Sequence, residues 1–137
     1  MIGVLDASIT IARFHWDEVT PMIVAVFDGV NLHGACVPPF WKVEVANVLE
    51  MQVRRKRYGL AERDRILADI AGLKIEIDMD SPNYLWSTTL NLAHRHDLTV
   101  YDAIYLELAI RRNLPLATLD SDLRDAATRE GVTLLGL

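Results

Sequence analysis

A lone cysteine, Cys36, excludes an intrachain disulfide, and its setting between Ala35 and Val37 is that of a small buried hydrophobe. No long apolar run is present: the longest uncharged one, Pro21 to Phe27, falls far short of the roughly 20 residues that span a bilayer. No basic start precedes an apolar signal core. Together these absences predict a soluble, cytoplasmic chain with no membrane partner. Positive charge is scarce as well. Lys and Arg number 14 against 19 Asp and Glu, a net charge of −5, which excludes holding nucleic acid by bulk positive charge. Nucleic-acid chemistry itself is not excluded, since four acids gathered round metal ions (19 − 4) would leave 15 against 14. No linker, repeat or low-complexity tract interrupts the chain, and 137 residues that are 51% apolar fit one domain, residues 1–137, with one core.

The apolar runs that are present are short. Ile2 to Leu5 is closed by Asp6, Ala7 and Ser8; Ala35 to Val37 is closed by Pro38 and Pro39; Ile75 to Ile77, Pro115 to Thr118 and Thr133 to Leu135 follow. All read as buried strands. Between them lie helical patterns: one from Phe40, with Pro39 before it and Arg54 to Arg57 at its end; Ala61 to Ala71, stopped by Gly72; Ser81-Pro82 to about His94; Val100 to Arg112, capped by Thr99; and one to Glu130, capped by Asp120 or Ser121. Residues Phe14 to Val30 read as one or two helices beginning at Asp17 to Pro21. Strands without polar alternation, separated by helices, predict a parallel sheet covered on both faces.

In such a sheet chemistry collects beyond the carboxyl ends of the strands. Asp6 directly follows the first strand, and Asp120 follows the Pro115 to Thr118 strand by two positions. Glu44 shares a helix side with Phe40, Trp41, Asn47, Val48 and Met51, so it is expected to face the core, where an unpaired carboxylate is costly. Asp102 shares its face with Tyr105, Leu106 and Ala109. Each acid has a plainer reading. Asp6 or Ser8, and Asp120 or Ser121, could cap helices; Thr99 to Asp102 fits a capping box; Glu44 could pair with Lys or Arg. The combination of two strand-end acids with two acids on apolar helix faces, all compatible with one sheet edge, favours a site.

The blocks Val-Leu-Asp6-Ala-Ser8, Val-Glu44-Val-Ala-Asn-Val-Leu, Tyr-Asp102-Ala-Ile-Tyr-Leu-Glu-Leu-Ala and Leu-Ala-Thr118-Leu-Asp120-Ser-Asp-Leu resemble those of PIN domains. More narrowly, they resemble the VapC-type toxin ribonucleases of toxin-antitoxin systems. The likeness runs over essentially the whole chain. It implies a three-layer α/β/α fold with a four- or five-stranded parallel sheet, and an acidic pocket holding Mg²⁺ or Mn²⁺ that cleaves RNA. Carried over residue by residue, Asp6, Glu44, Asp102 and Asp120 form the catalytic quartet, with Asp6, Asp102 and Asp120 as metal ligands and the Ser8 and Thr118 hydroxyls in support. Asp122 could share or replace the role of Asp120. The partners implied are an RNA substrate, a VapB-type antitoxin and a second copy of the chain.

Crowded carboxylates take up protons unless a cation neutralises them, and a hard divalent ion with oxygen ligands does so; no His or Cys near the blocks suggests zinc. Arg54 to Arg57, with Arg111 and Arg112, are candidate phosphate or antitoxin contacts, although cations in last helical turns also have a solvated role. Trp16, Trp41, Trp86 and Tyr58 could stack bases or sit in core or interface, and His94 and His96 read as solvated or capping residues. Two other functions compete. One is a PIN-like interaction module without catalysis; the other is a phosphoacceptor domain, which would need a Lys late in the chain, whereas the last here is Lys74.

Overall fold

The computed structural model describes residues 1–136. Five parallel strands, β1 (Val4–Leu5), β2 (Ala35–Val37), β3 (Ile75–Ile77), β4 (Leu116–Ala117) and β5 (Leu134–Leu135), form one sheet in the order β3-β2-β1-β4-β5. Seven α-helices connect them: α1 (Ala7–Phe14), α2 (Pro21–His33), α3 (Phe40–Arg54), α4 (Leu60–Ala71), α5 (Leu90–His96), α6 (Val100–Arg112) and α7 (Ser121–Arg129). α1 packs on α2 and α3, and α3 on α4; α6 packs on α5, α7, β1 and β4. This is the three-layer α/β/α arrangement expected of parallel strands buried on both faces. Among the described residues, no helix is long and apolar enough to cross a membrane.

The strands are shorter than the apolar runs that specify them, yet the hydrogen bonds extend further. Ile2 donates to Gly34 at 2.8 Å, Val4 to Pro115 at 2.8 Å and Asp6 to Ala117 at 3.0 Å, so β1 is held along its whole apolar run. Val4 and Leu5 have no exposed surface, as the central position of their strand requires. Gly3 lets β4 approach: a Cβ there would meet the Pro115 carbonyl oxygen at 2.6 Å. The stretch from Phe14 to Val30 holds one helix, α2, with Thr20 accepting from Ile23 N–H at 3.3 Å and Pro21 in the first turn; α1 ends where that stretch begins.

One expected element differs. Instead of a single helix from Ser81 to His94, the chain makes a tight 3₁₀ turn at Ser81–Tyr84, a wide π turn at Leu85–Thr89, and only then α5. A local bond and a tertiary contact act on its start: the Ser81 hydroxyl donates to Asp78 at 2.8 Å, and the Arg111 guanidinium, from α6, lies 4.6 Å from the Tyr84 ring centre. Departures from α-geometry of this kind follow from packing, which periodicity does not encode.

Candidate active site

β1 lies at the centre of the sheet, with β2 and β3 to one side and β4 and β5 to the other, so the chain reverses direction of travel between β1 and β4. The crevice beyond that pair of strand ends is where an open α/β sheet exposes backbone and loops to a ligand. β1 delivers Asp6 there and β4 delivers Thr118 to Asp120.

The two ends are stitched by side chains. Asp6 Oδ1 accepts the Ser8 N–H, capping α1, while Oδ2 accepts the Thr118 hydroxyl at 2.5 Å. The same hydroxyl accepts the Asp120 N–H at 3.1 Å, and Ser8 Oγ accepts the Leu119 N–H at 3.1 Å. Asp120 Oδ1 accepts the Leu123 N–H at 2.8 Å and caps α7. Capping is thus a real role of Asp6 and Asp120, using one oxygen of each. For α6 the cap is Thr99, whose hydroxyl accepts the Asp102 N–H at 3.2 Å.

Glu44 arrives from α3. The buried stripe of that helix is Trp41, Val45, Leu49 and Gln52, so Glu44 stands half-buried at its margin instead of facing the core as its neighbours suggested. Among the described residues it pairs with no Lys or Arg. Its partner is Tyr105, fully enclosed in α6, whose hydroxyl donates to Glu44 Oε1 at 2.5 Å. Sequence reasoning placed Tyr105 on the Asp102 face but assigned it no polar role; a Tyr three residues after that acid, amid apolar neighbours, was the available signal.

Electrostatics bind the four acids into one group. Burial raises the Asp6 carboxyl above the usual range, against the Thr118 and Ser8 hydrogen bonds, and Asp120 adds to the rise. Burial likewise raises Glu44, opposed by the Tyr105 bond and reinforced by Asp6 and Asp102. Asp102 is pushed up to about 6, by burial first, then by Asp120 and Asp6, with Asp122 contributing least. No Lys or Arg forms an ion pair with Asp6, Glu44, Asp102 or Asp120 among the described residues. Arg124, four residues after Asp120, donates instead to the Thr118 carbonyl at 2.8 Å. Of the two candidates near β4, Asp120 is bonded to Thr118 and acts more strongly on Asp102, while Asp122 is exposed.

An all-oxygen donor set, crowded, partly desolvated and without a cationic side chain, suits a hard divalent ion. The oxygens of the quartet are not already drawn together: among the described residues, the three-residue set whose ligand atoms all lie within 4.8 Å of one another is His15, Asp17 and Glu18, beyond the far end of α1.

The cationic candidates divide. Arg111 is spent internally, bridging Asp78 at 2.6 Å and Glu107 at 2.7 Å, and Arg112 lies against Glu76 and Cys36. Arg57 pairs with Asp17 at 3.0 Å, whereas Arg55 and Lys56 are exposed. Trp41 is buried, its indole N–H donating to Thr10 at 3.1 Å, but Trp16 and Trp86 are 89% and 93% exposed. His94 is solvated as expected, whereas the His96 side chain is enclosed and meets Glu130 at 2.7 Å.

The PIN domain family model matches residues 3–129. Similar solved structures include PAE2754 from Pyrobaculum aerophilum, 25% identical, with 90% of this chain and 82% of that one covered and a TM-score of 0.70. FitAcB from Neisseria gonorrhoeae is 16% identical, with 96% and 95% covered and a TM-score of 0.65, a likeness of fold. A search of curated protein sequences found no match.

Proposed function

The chain belongs to the PIN domain family, whose members are generally nucleases, and from that premise we propose that it is a metal-dependent endoribonuclease acting as a VapC-type toxin. One observation carries the reading. Asp6, Glu44 and Asp102 share a single crevice with Asp120, where burial first and neighbouring carboxylates second raise the proton affinity of those three, and no basic side chain forms an ion pair with any of them among the described residues.

Asp6, Asp102 and Asp120 would hold Mg²⁺ or Mn²⁺, Asp6 and Asp120 through the oxygen capacity left after capping. A divalent ion bound there supplies charge that stabilises the pentavalent phosphorus and the departing oxygen, and makes water more acidic. Thr118 and Ser8 keep the β1 and β4 ends in register. Glu44, oriented by Tyr105 through Oε1, offers Oε2 to the attacking water: a P–O bond forms from water, the water proton passes to the carboxylate, and the bond to the leaving sugar oxygen breaks. A carboxylate already raised by burial is suited to take that proton.

The partners proposed are RNA, an antitoxin and a second copy of the chain. An antitoxin that seats an Arg or Lys among the four carboxylates would supply the positive charge they lack, and metal and inhibitor should then compete. The second reading, an interaction module without catalysis, is favoured by the caps that Asp6 and Asp120 form. It leaves unexplained why a Tyr hydroxyl should orient Glu44 beside two other acids. Sequencing the 5′ ends of RNAs incubated with the purified protein, with and without EDTA, tests the proposal: discrete cleavage with Mg²⁺ or Mn²⁺ that vanishes in chelator supports it, and undiminished cleavage in excess chelator contradicts it.

A further inference from the structure

We propose that His15, Asp17 and Glu18 form a second cation site, separate from the strand-end carboxylates, that takes a borderline transition-metal ion of the Zn²⁺ class. The two sites lie at opposite ends of α1, whose eight residues put about 12 Å between them at 1.5 Å per residue.

The first observation is convergence: one ligand atom from each of the three residues lies within 4.8 Å of the others. The second is independent of the acids. His15 is 6% exposed, and neither of its ring nitrogens has a hydrogen-bond partner. Buried polar groups are rarely left so, and an orphaned imidazole calls for a ligand. Nδ1 faces Glu18 Oε2 at 3.5 Å, too far for a hydrogen bond. That separation matches neighbouring ligands of a tetrahedral ion, since bonds of about 2.0–2.2 Å put two donor atoms about 3.3–3.6 Å apart.

The surroundings fit a partly hydrated ion. His15, Asp17, Tyr58 and Glu62 border a cleft of about 60 Å³, which has room for water. The Tyr58 hydroxyl is also buried without a partner, and its ring stands edge-on to His15 with centroids 6.0 Å apart. Asp17 Oδ2 holds Arg57 at 3.0 Å, so ligation through its other oxygen would fasten the α1–α2 connection to the turn after α3 without breaking that ion pair. An imidazole with two carboxylates selects Zn²⁺ or Co²⁺ over Mg²⁺, which prefers oxygen throughout. The two sites should therefore take different ions.

Co²⁺ serves as the probe, its visible absorption followed on the full chain after chelator treatment. Whatever further Co²⁺ the strand-end carboxylates of the wild type take, one equivalent that resists a large excess of Mg²⁺ and is displaced by Zn²⁺ should bind both in the wild type and in Asp6→Asn/Asp102→Asn. Glu18 is 46% exposed, so Glu18→Gln leaves packing intact; it should weaken binding by about tenfold or more. His15→Gln should abolish the signal wherever it folds. The proposal is overturned if Glu18→Gln binds Co²⁺ as the wild type does, or if no equivalent survives in the double variant. Neither result bears on RNA cleavage, so the second site and the nuclease reading fail separately.

Discussion

Thr118 shows how much a single side chain organises here. Its buried hydroxyl donates to Asp6 and accepts from the Asp120 N–H, so one oxygen fixes two of the four acids. Thr118→Val keeps shape and removes both bonds; it should cost about 1–3 kcal/mol, read as a lower melting temperature, and should reduce cleavage per folded molecule. A melting temperature and activity equal to wild type would deny the hydroxyl this role. The acids behave differently. Asp6→Asn and Asp120→Asn should retain the fold because Asn is as good a cap as Asp, Asp102→Asn because α6 is capped by Thr99, and each should lose most cleavage. For Asp102 the sign of the stability change follows from linkage. Its carboxyl is raised from 3.8 to about 6 in the folded chain, so at pH 7 the ionised form disfavours folding, and the neutral amide removes that penalty. In chelator, Asp102→Asn should melt higher than wild type; a variant that melts lower and keeps normal activity per folded molecule would instead show that the Asp102 carboxylate serves the fold and not the chemistry. Asp6, Asp102 and Asp120 were legible because they abut strand ends or lead an apolar stripe. The Tyr105 bond to Glu44 was not, because it joins residues 61 positions apart across two helices.

At the scale of elements, caps carried the reading. Thr99 before α6 and Asp120 before α7 mark starts that the structure keeps because local backbone donors must be satisfied whatever the tertiary context, and Pro39 marks the start of α3 because its ring fixes a φ that suits a helix entry. The segment from Ser81 to Thr89 escaped because long-range contacts shape it. Arg111 is central to those contacts: from α6 it reaches Asp78 just beyond β3, and Glu107 one turn back. The two acids respond in opposite directions. Burial raises both, but Asp78 has two bonds from Arg111 and one from Ser81 and ends below its usual value, whereas Glu107, with Arg111 alone, stays above. Arg111→Met takes the ion-pair partner from Glu107 and leaves Asp78 with Ser81 and the more distant Arg112, at 3.7 Å, and should cost about 3–5 kcal/mol at pH 7. Because the folded Asp78 value is depressed, its contribution is present above about pH 4 and lost as pH falls through the folded value. The gap between wild type and Arg111→Met should therefore narrow in acid; a gap independent of pH would contradict the ion-pair origin.

For the whole molecule, the layer architecture followed from strands without polar alternation, whereas the surface did not. Trp16 and Trp86 lie almost fully in solvent, and Leu32 and Met79 are 71% and 73% exposed. Scattered singly, such residues are ordinary on a protein surface, so the proposed homodimer rests on the family resemblance and needs its own test. Light scattering at micromolar concentration should give twice the 15.4 kDa chain mass; a monomeric mass with full activity would remove the dimer. The four acids are proposed as a divalent-cation nuclease centre. Titrating Mn²⁺ into wild type and Asp102→Asn with a labelled RNA measures that directly. Saturable, Mn²⁺-dependent cleavage by the wild type, abolished in a folded Asp102→Asn variant, is the predicted result; equal cleavage by both at every Mn²⁺ concentration would contradict it.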